Sequence, residues 1–325
     1  MSAPEPRENP LLLGHEAAEA VMAGAARSGR LHHAWLLGGP PGVGKATLAY
    51  RFARWLLAGQ PAGEGLALPP DNAVFRRVAA GAHADLLALS PNTGEGKRMM
   101  IRVEDVRGLK GFMSLTPAEG GWRVVVLDQP ETMDAAGQNA LLKTLEEPPP
   151  RAILLLACAA PGRLLPTIMS RVRRLELNPL PDAAMERLLG DYLPEMAAEE
   201  RRELIGLSGG APGRALQLAQ GEGLEMARLA REALGGVPPR RALQIAERVA
   251  GRESGPMITF FALLRAGLAA GTRAAGQGQG PPWAARRTPG EWAEIWSRLG
   301  AHAAAADKLS LDRKQAVMQA LDWLN

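Results

Sequence analysis

The chain has very little cysteine and no long apolar run. A single cysteine, Cys158, occurs among 325 residues, so neither an intramolecular disulfide nor a cysteine-based zinc site can form. The longest apolar run, Ala152–Ala160, is far shorter than the roughly 20 residues of a membrane-spanning helix. The start, MSAPEPRENP, has no basic segment leading into an apolar one. We therefore expect no membrane insertion, no export and a cytoplasmic protein.

Apolar residues are plentiful and the excess of positive charge is small. Hydrophobic residues make up 46% of the 325 residues, which is enough to build the cores of two or three domains. The formal net charge is +4 and the pI is about 9.6. This balance permits contact with nucleic acid without demanding it.

Short apolar runs alternate with helical patterns in the first half of the chain. AWLLG (Ala34–Gly38), RVVVLD (Arg123–Asp128) and AILLLACA (Ala152–Ala159) are typical of strands covered on both faces of a parallel sheet. DLLALS, from Asp85, predicts a shorter strand. Between the last two long runs, AAGQNALLKTLEEPPP is an amphipathic helix that three prolines stop. Strands alternating with helices predict an α/β domain to about residue 177.

After residue 177 the pattern becomes wholly helical. A small helical unit ends near Ala219, and an Ala-, Leu- and Arg-rich stretch follows it. The Gly/Pro-rich segment Gly271–Gly290 predicts a mobile loop between helices of that stretch. The sequence therefore predicts three domains, over residues 1–177, 178–219 and 220–325.

The stretch GPPGVGKAT has the glycine and lysine spacing of a phosphate-binding loop. It lies between a predicted strand and a predicted helix, as such a loop requires. Gly39, Gly42 and Gly44 allow backbone amides to converge on phosphate oxygens at a helix N-terminus, and Lys45 supplies a positive charge. An ordinary glycine-rich turn is the alternative.

Side chains that ATP hydrolysis needs are missing around this loop. Ala46 stands where a hydroxyl normally binds Mg²⁺. Thr47 is one residue late, about 100° around the helix, although it could still touch a phosphate. Asp128 stands where a carboxylate would hold Mg²⁺ through water, with an ordinary turn residue as the alternative. Gln129 follows it, and an amide cannot accept a proton from an attacking water as a glutamate would.

The strand that ends at Cys158, Ala159 and Ala160 offers no polar side chain beyond a thiol for sensing a terminal phosphate. Cys158 is better interpreted as a small buried apolar residue than as a nucleophile. Glu131 lies beyond the end of the preceding strand and is a weak substitute for a catalytic glutamate. Together these losses predict a site that does not hydrolyse ATP.

A basic cluster follows in PTIMSRVRRLEL, where Arg171 precedes Arg173 and Arg174. From the residues alone, Arg171 is a solvated surface side chain. The surrounding motifs give it a second interpretation. NALLKTLEEPP, with FMSLTPAEGGWRVVVLD before it and RLLPTIMSR after it, resembles the clamp-loader branch of the AAA+ proteins. The segment Gly14–Leu57 is further similar to the delta-prime subunits of bacterial DNA polymerase III, and the similarity covers most of residues 9–220.

This resemblance implies an AAA+ P-loop domain with a parallel sheet, a small helical lid and an all-α collar domain that assembles a ring. It implies a hetero-pentamer with gamma/tau-type ATPase subunits and a delta-type subunit. The sliding clamp and primed DNA would be contacted through this complex. Ser170 and Arg171 would point into a neighbour's nucleotide site, where the guanidinium stabilises charge on the γ-phosphoryl group. Val172 replaces the cysteine of the family's motif.

The resemblance also sets the expectations for cofactors. No nucleotide is required, although the glycines and Lys45 allow weak binding of ATP or ADP without hydrolysis. The family's four-cysteine zinc module would follow the P-loop helix, but LAGQPAGEGLALPPDNAVF contains no cysteine, so no zinc and no other metal is expected. Arg214 lies one residue from the usual place of a second sensor arginine, and its role stays open.

Two alternatives come from other classes of protein. An active AAA+ ATPase, either the motor subunit of the same loader or a related remodelling enzyme, would need Ser or Thr at position 46 and Glu at position 129. A plain DNA-binding protein would use a basic helical face, although such charges more often form a solvated surface. The basic residues of that face are Lys97, Arg98, Arg102, Arg107 and Lys110.

Overall fold

A five-stranded parallel sheet organises the first of two structural units. The computed structural model describes residues 4–63, 65–91, 100–119, 121–251, 254–308 and 312–325. The chain divides into the units Met1–Ala215 and Leu216–Asn325. The strands of the first unit are β1 (Ala34–Gly38), β2 (Leu86–Leu89), β3 (Arg123–Asp128), β4 (Ala152–Ala157) and β5 (Arg173–Glu176). Their order in the sheet is β2-β3-β4-β1-β5.

The central strands are buried along almost their whole length. Every residue of β1 and β4 is buried, and so are the first five residues of β3. Helices on both faces explain why these strands have continuous apolar sequences instead of alternating ones. The helices of the unit are α1 (Glu16–Arg27), α2 (Lys45–Leu57), α3 (Ala73–Ala79), α4 (Val103–Ser114), α5 (Ala135–Glu146), α6 (Pro166–Met169), α7 (Asp182–Tyr192), α8 (Ala198–Ser208) and α9 (Pro212–Leu218), the last of which runs across the division.

The local sequence sets the bounds of α5. The Asp134 side chain caps its N-terminus by accepting a hydrogen bond from the Gly137 N–H at 2.7 Å. The helix ends at Glu146, just before the three consecutive prolines. Leu141 and Leu145 pack into the core shared with α4, β3 and β4. The predicted α/β fold, with a parallel sheet and helix-rich C-terminal part, is confirmed.

The second unit is helical throughout its described residues. It contains α10 (Gly223–Leu234), α11 (Pro239–Val249), α12 (Gly255–Gly276), α13 (Pro289–Lys308), α14 (Arg313–Asp322) and a 3-10 turn, Pro282–Arg286. The loop predicted over Gly271–Gly290 is shorter than expected, because α12 continues to Gly276 and α13 begins at Pro289. Alanine-rich sequence sustains the end of α12 despite its glycines.

One described helix, α12, is long and apolar enough by length and composition to cross a membrane. Such a helix is weak evidence for a membrane span, because core helices pass the same test. Here Phe260, Phe261 and Leu264 are buried, and the helix packs against α10 and α13. Packing inside its own unit therefore accounts for its composition.

The division into domains over 1–177, 178–219 and 220–325 stays a prediction.

Candidate functional site

The predicted phosphate-binding loop connects β1 to α2, as expected. Gly39, Gly42 and Gly44 all have positive φ, at 130°, 77° and 114°. A Cβ on Gly39 would lie 2.4 Å from the Leu177 carbonyl oxygen, and one on Gly42 would lie 2.7 Å from the Arg214 nitrogen. Only glycine fits these two positions, because both the backbone conformation and the close approach exclude a side chain.

The loop is in contact with the start of α9. The Gly213 N–H donates a hydrogen bond of 2.8 Å to the Gly42 carbonyl. The loop therefore supplies an acceptor to the N-terminus of α9, where helix N–H groups lack partners of their own. Arg214 follows on this helix, half-buried, and burial lowers the pKa of its guanidinium.

Lys45 folds back onto its own loop. Its Nζ donates to the Gly39 and Pro40 carbonyls at 2.8 Å each, and the residue is 7% exposed. Burial lowers the pKa of the Lys45 ammonium, whereas the carboxylates of Glu131 and Asp128 favour its charged form. The roles of Lys45 and Asp128 at a nucleotide site stay a prediction.

Ala46 and Thr47 occupy different environments at the start of α2. Ala46 is half-exposed, whereas Thr47 is buried. This is the outcome expected from a 100° step around the helix. Thr47 is therefore turned towards the interior relative to Ala46, as the helix geometry requires.

The carboxyl end of β3 carries Asp128 and Gln129, at the positions where an ATPase would hold Mg²⁺ and activate water. Burial raises the pKa of the Asp128 carboxyl, and the nearby Lys45 opposes that rise. Gln129 has φ 53° and ψ 54°, a left-handed conformation that is uncommon outside glycine, and its side chain is exposed. Its N–H donates to the Ala157 carbonyl at 2.9 Å.

Glu131 connects the turn after β3 to the end of β4. It is 8% exposed, and its Oε1 accepts a hydrogen bond from the Ala159 N–H at 2.8 Å. The carboxylate is thus engaged in holding two neighbouring strand ends together. This long-range contact has no local sequence signal, and it gives Glu131 a structural position in place of that of a base for water.

Cys158 is fully buried at the end of β4. Burial and a hydrogen bond to Glu131 raise the pKa of its thiol to about 12. At pH 8 only about one thiol in ten thousand would then be ionised, and the thiolate is the reactive form. We expect Ellman's reagent to react very slowly with the native protein. After unfolding in guanidinium, one thiol per chain should react immediately. Rapid labelling of the native chain would contradict this burial.

The outer side of the loop contacts residues that the sequence interpretation did not single out. His15 Nε2 lies 2.8 Å from the Val43 carbonyl oxygen, and a Cβ on Gly44 would lie 3.2 Å from Leu12. Arg54, 1% exposed on α2, donates to the carbonyls of Arg7 and Asn9 at 2.8 Å each. These contacts join segments far apart in sequence, so no local pattern reveals them.

Ser170 and Arg171 lie directly after α6. Ser170 is exposed, and its Oγ donates to the Thr167 carbonyl at 3.0 Å. Arg171 Nη1 donates to the same carbonyl at 3.1 Å, and its Nη2 lies 3.2 Å from Oε1 of Glu146. Val172 is buried and fixes the backbone beside them. The Arg171 side chain is 37% exposed, so solvent reaches it.

Arg171 and the phosphate-binding loop lie at opposite ends of the parallel strands. The loop follows the carboxyl end of β1, whereas Arg171 precedes the amino end of β5. The two strands are parallel neighbours, with Trp35 beside Arg173 and Gly38 beside Glu176. At about 3.3 Å per residue, the length of these strands separates the two sites by more than roughly 10 Å. The structure therefore does not bring Arg171 to its own chain's loop.

The basic face proposed for DNA is only partly described. Lys97 and Arg98 lie outside the described residues. Arg107 and Lys110 are exposed on α4, and Lys110 pairs with Glu147 at 2.9 Å. Within the described ranges, no group of three or more His, Cys, Asp or Glu side chains is arranged to hold a metal ion.

Comparison with known proteins identifies similar sequences. Residues 14–181 match the family model described as DNA polymerase III, delta subunit. The chain is 44% identical over 181 residues to the DNA polymerase III subunit delta' of Pseudomonas aeruginosa, covering 55% of this chain and 53% of that protein. It is 35% identical over 196 residues to the Escherichia coli subunit of the same name, covering 60% and 57%. The chain thus spans about half the length of these relatives.

A more distant similarity extends to a second kind of subunit and to a solved structure. The DNA polymerase III subunit gamma/tau of Mycobacterium tuberculosis is 32% identical over 178 residues, covering 55% of this chain and 30% of that protein. The Thermotoga maritima RuvB Holliday junction branch migration motor superposes with a TM-score of 0.46 at 16% identity, covering 97% of this chain and 92% of that one.

Proposed function

The chain belongs to the DNA polymerase III delta subunit family, and from this membership we propose that it is the non-hydrolysing, delta-prime-type stator of a sliding-clamp loader. Its partners are gamma/tau-type ATPase subunits and a delta-type subunit in a cytoplasmic hetero-pentamer. The complex loads the clamp onto primed DNA. This chain contributes an arginine in trans to the nucleotide site of a neighbouring ATPase subunit.

The position of Arg171 carries this proposal. It lies across the sheet from its own loop, beside the amino end of β5, and its side chain is reachable from solvent. An arginine that acts on phosphate in this chain's own loop would have to lie at the carboxyl ends of the strands, where that loop begins. The available position is therefore one from which a second subunit's nucleotide can be reached.

The chemistry at such a shared site would be electrostatic. A planar guanidinium donates hydrogen bonds in a fixed fork that matches phosphate oxygens, and it stays charged at every physiological pH. Charge that develops on the transferring γ-phosphoryl group is stabilised by this cation. Ser170, adjacent and exposed, holds its hydroxyl on the Thr167 carbonyl and so borders the same surface.

The residues around this chain's own loop do not fit Mg²⁺-ATP. Lys45 donates hydrogen bonds to two carbonyls of its own loop. Ala46 offers no hydroxyl to a metal, and Gln129 offers no carboxylate to water. We therefore assign no catalytic step to this loop and propose that the subunit requires neither nucleotide nor zinc, and that any ATP or ADP held by the glycines and Lys45 is bound weakly and is not hydrolysed.

The isolated protein is expected to show no ATP hydrolysis above background. The measurement is steady-state phosphate release at saturating Mg²⁺-ATP, with Lys45→Ala prepared in parallel. Turnover at rates of the ATPase subunits, abolished by Lys45→Ala, would identify an active motor and refute the stator. Equal background rates for both proteins are the expected result, because Ala46 and Gln129 lack the groups that hydrolysis needs whether or not Lys45 is present.

A further inference from the structure

The side chain of Arg171 is held on its own subunit by one carboxylate. Its Nη2 pairs with Glu146 at 3.2 Å, and its Nη1 donates to the Thr167 carbonyl. Glu146 is the last residue of α5, and Thr167 belongs to α6. The guanidinium therefore bridges the ends of two helices on the surface proposed to face the neighbour.

The backbone that carries Arg171 is fixed independently of this ion pair. Gln138 is 6% exposed on α5, and its Oε1 accepts from the Leu165 N–H at 2.8 Å. Its Nε2 donates to the Arg163 carbonyl at 3.2 Å. These bonds fasten the start of α6 to α5. Glu146 thus contacts the Arg171 guanidinium, whereas Gln138 holds the segment that carries Arg171.

We propose that Glu146 is a positioning residue that restrains Arg171 on its own subunit. The restraint lasts until a phosphate of the neighbour's nucleotide replaces the Glu146 carboxylate as the partner of the Arg171 guanidinium. The inference rests on the proposed function of Arg171. Both partners are partly exposed, with side-chain exposures of 37% for Arg171 and 51% for Glu146. An exposed pair is weak, so a polyanionic phosphate competes with it readily. A buried pair would instead trap the arginine.

The adjacent carboxylate provides a matched comparison. Glu147 is also exposed and ion-paired, but its partner is Lys110 of α4 at 2.9 Å. The two consecutive glutamates thus contact different segments, Arg171 after α6 and Lys110 on α4. Changing either one removes one surface charge and one surface ion pair, and only Glu146 contacts Arg171.

In a loader reconstituted with its ATPase and delta-type subunits, Glu146→Gln is expected to raise kcat for ATP hydrolysis at the adjoining site. The increase should be about two- to five-fold at low salt, the range expected for loss of one exposed ion pair. KM for ATP should change less, because the arginine acts mainly on charge that develops in the transition state. The increase in kcat over wild type should be smaller at high salt, because salt also screens the Arg171–Glu146 pair of the wild-type protein.

Four further proteins, including the Arg171→Ala single variant, make the result specific. Glu147→Gln should behave as wild type, Glu146→Asp should restore the wild-type rate, and Glu146→Gln should have no effect in an Arg171→Ala background. If Arg171→Ala slows hydrolysis while Glu146→Gln matches wild type, the restraint is refuted and the proposed function stands. A lower rate for Glu146→Gln would also refute it, because Glu146 would then orient Arg171 productively. If Arg171→Ala has no effect, both ideas fail.

Discussion

Replacing Arg171 with alanine is expected to slow ATP hydrolysis at the neighbouring subunit's site on the order of 10³-fold. The loss would fall on kcat, since an arginine supplied in trans stabilises charge that develops on the γ-phosphoryl group. Folding should be unaffected, because Arg171 is a partly exposed side chain with one surface ion pair and one carbonyl contact. Such a pair contributes at most about 1 kcal/mol to stability.

The measurement is single-turnover hydrolysis by the reconstituted loader, with assembly checked separately by sedimentation. A loader with several ATPase sites should lose the fraction of fast hydrolysis that belongs to the adjoining site. Arg174→Ala is the matched control, since it removes an exposed positive charge from β5, three residues away. Arg171→Lys should recover only part of the rate, because an ammonium keeps the charge but not the planar fork. Unchanged hydrolysis with Arg171→Ala would leave the arginine as surface charge only.

The sequence predicted most of the first unit's architecture because its signals are local. The centre of β3, residues 124–127, and the whole of β4 are apolar without interruption, as burial on both faces requires. The helix α5 has a capping aspartate at one end and prolines at the other. The loop between β1 and α2 follows from its glycine and lysine spacing together with the apolar run before it and the helical pattern after it. By contrast, the end of α12 was missed because glycines within an alanine-rich helix resemble a loop.

The site was predictable only in part, since its decisive features join residues distant in sequence. The sequence shows that Ala46 lacks a hydroxyl, but it does not show that the Gly42 carbonyl accepts a hydrogen bond from the Gly213 N–H. It also gives no sign that Glu131 binds the end of β4. The opposite placement of Arg171 depends on β5 pairing with β1, and strand order has no local signature.

Asp85 shows how much such a distant contact can matter. In the sequence it is only the first residue of a short apolar run. In the structure its side chain is 2% exposed and lies 3.4 Å from Arg123 Nη2, whose side chain is 8% exposed. Its two oxygens accept the N–H groups of Ala118 and Glu119 at 2.8 and 3.1 Å. The carboxylate thus joins the start of β2 to the first residue of β3 and to the segment after α4.

Asp85→Ala is therefore expected to destabilise the protein by about 3–5 kcal/mol, the cost typical of removing one partner from a buried ion pair. Arg123 would remain buried, with only the carbonyls of Leu115, Thr116 and Ala84 as acceptors. Two backbone N–H groups would lose their partner as well. At about 2–4 °C per kcal/mol for a unit of this size, the melting temperature should fall by roughly 10 °C.

The measurement is thermal and urea unfolding of wild type, Asp85→Ala and a control from the same segment. Glu119→Ala is that control, because Glu119 pairs with Arg77 at 2.9 Å while both side chains are more than 40% exposed. Its loss should cost less than about 1 kcal/mol. In a double-mutant cycle, the Asp85→Ala/Arg123→Ala protein should lose much less unfolding free energy than the two single variants lose together. Removing both charges leaves neither one buried alone. Additive costs, or a cost for Asp85→Ala no larger than for Glu119→Ala, would show that burial of this pair does not stabilise the fold.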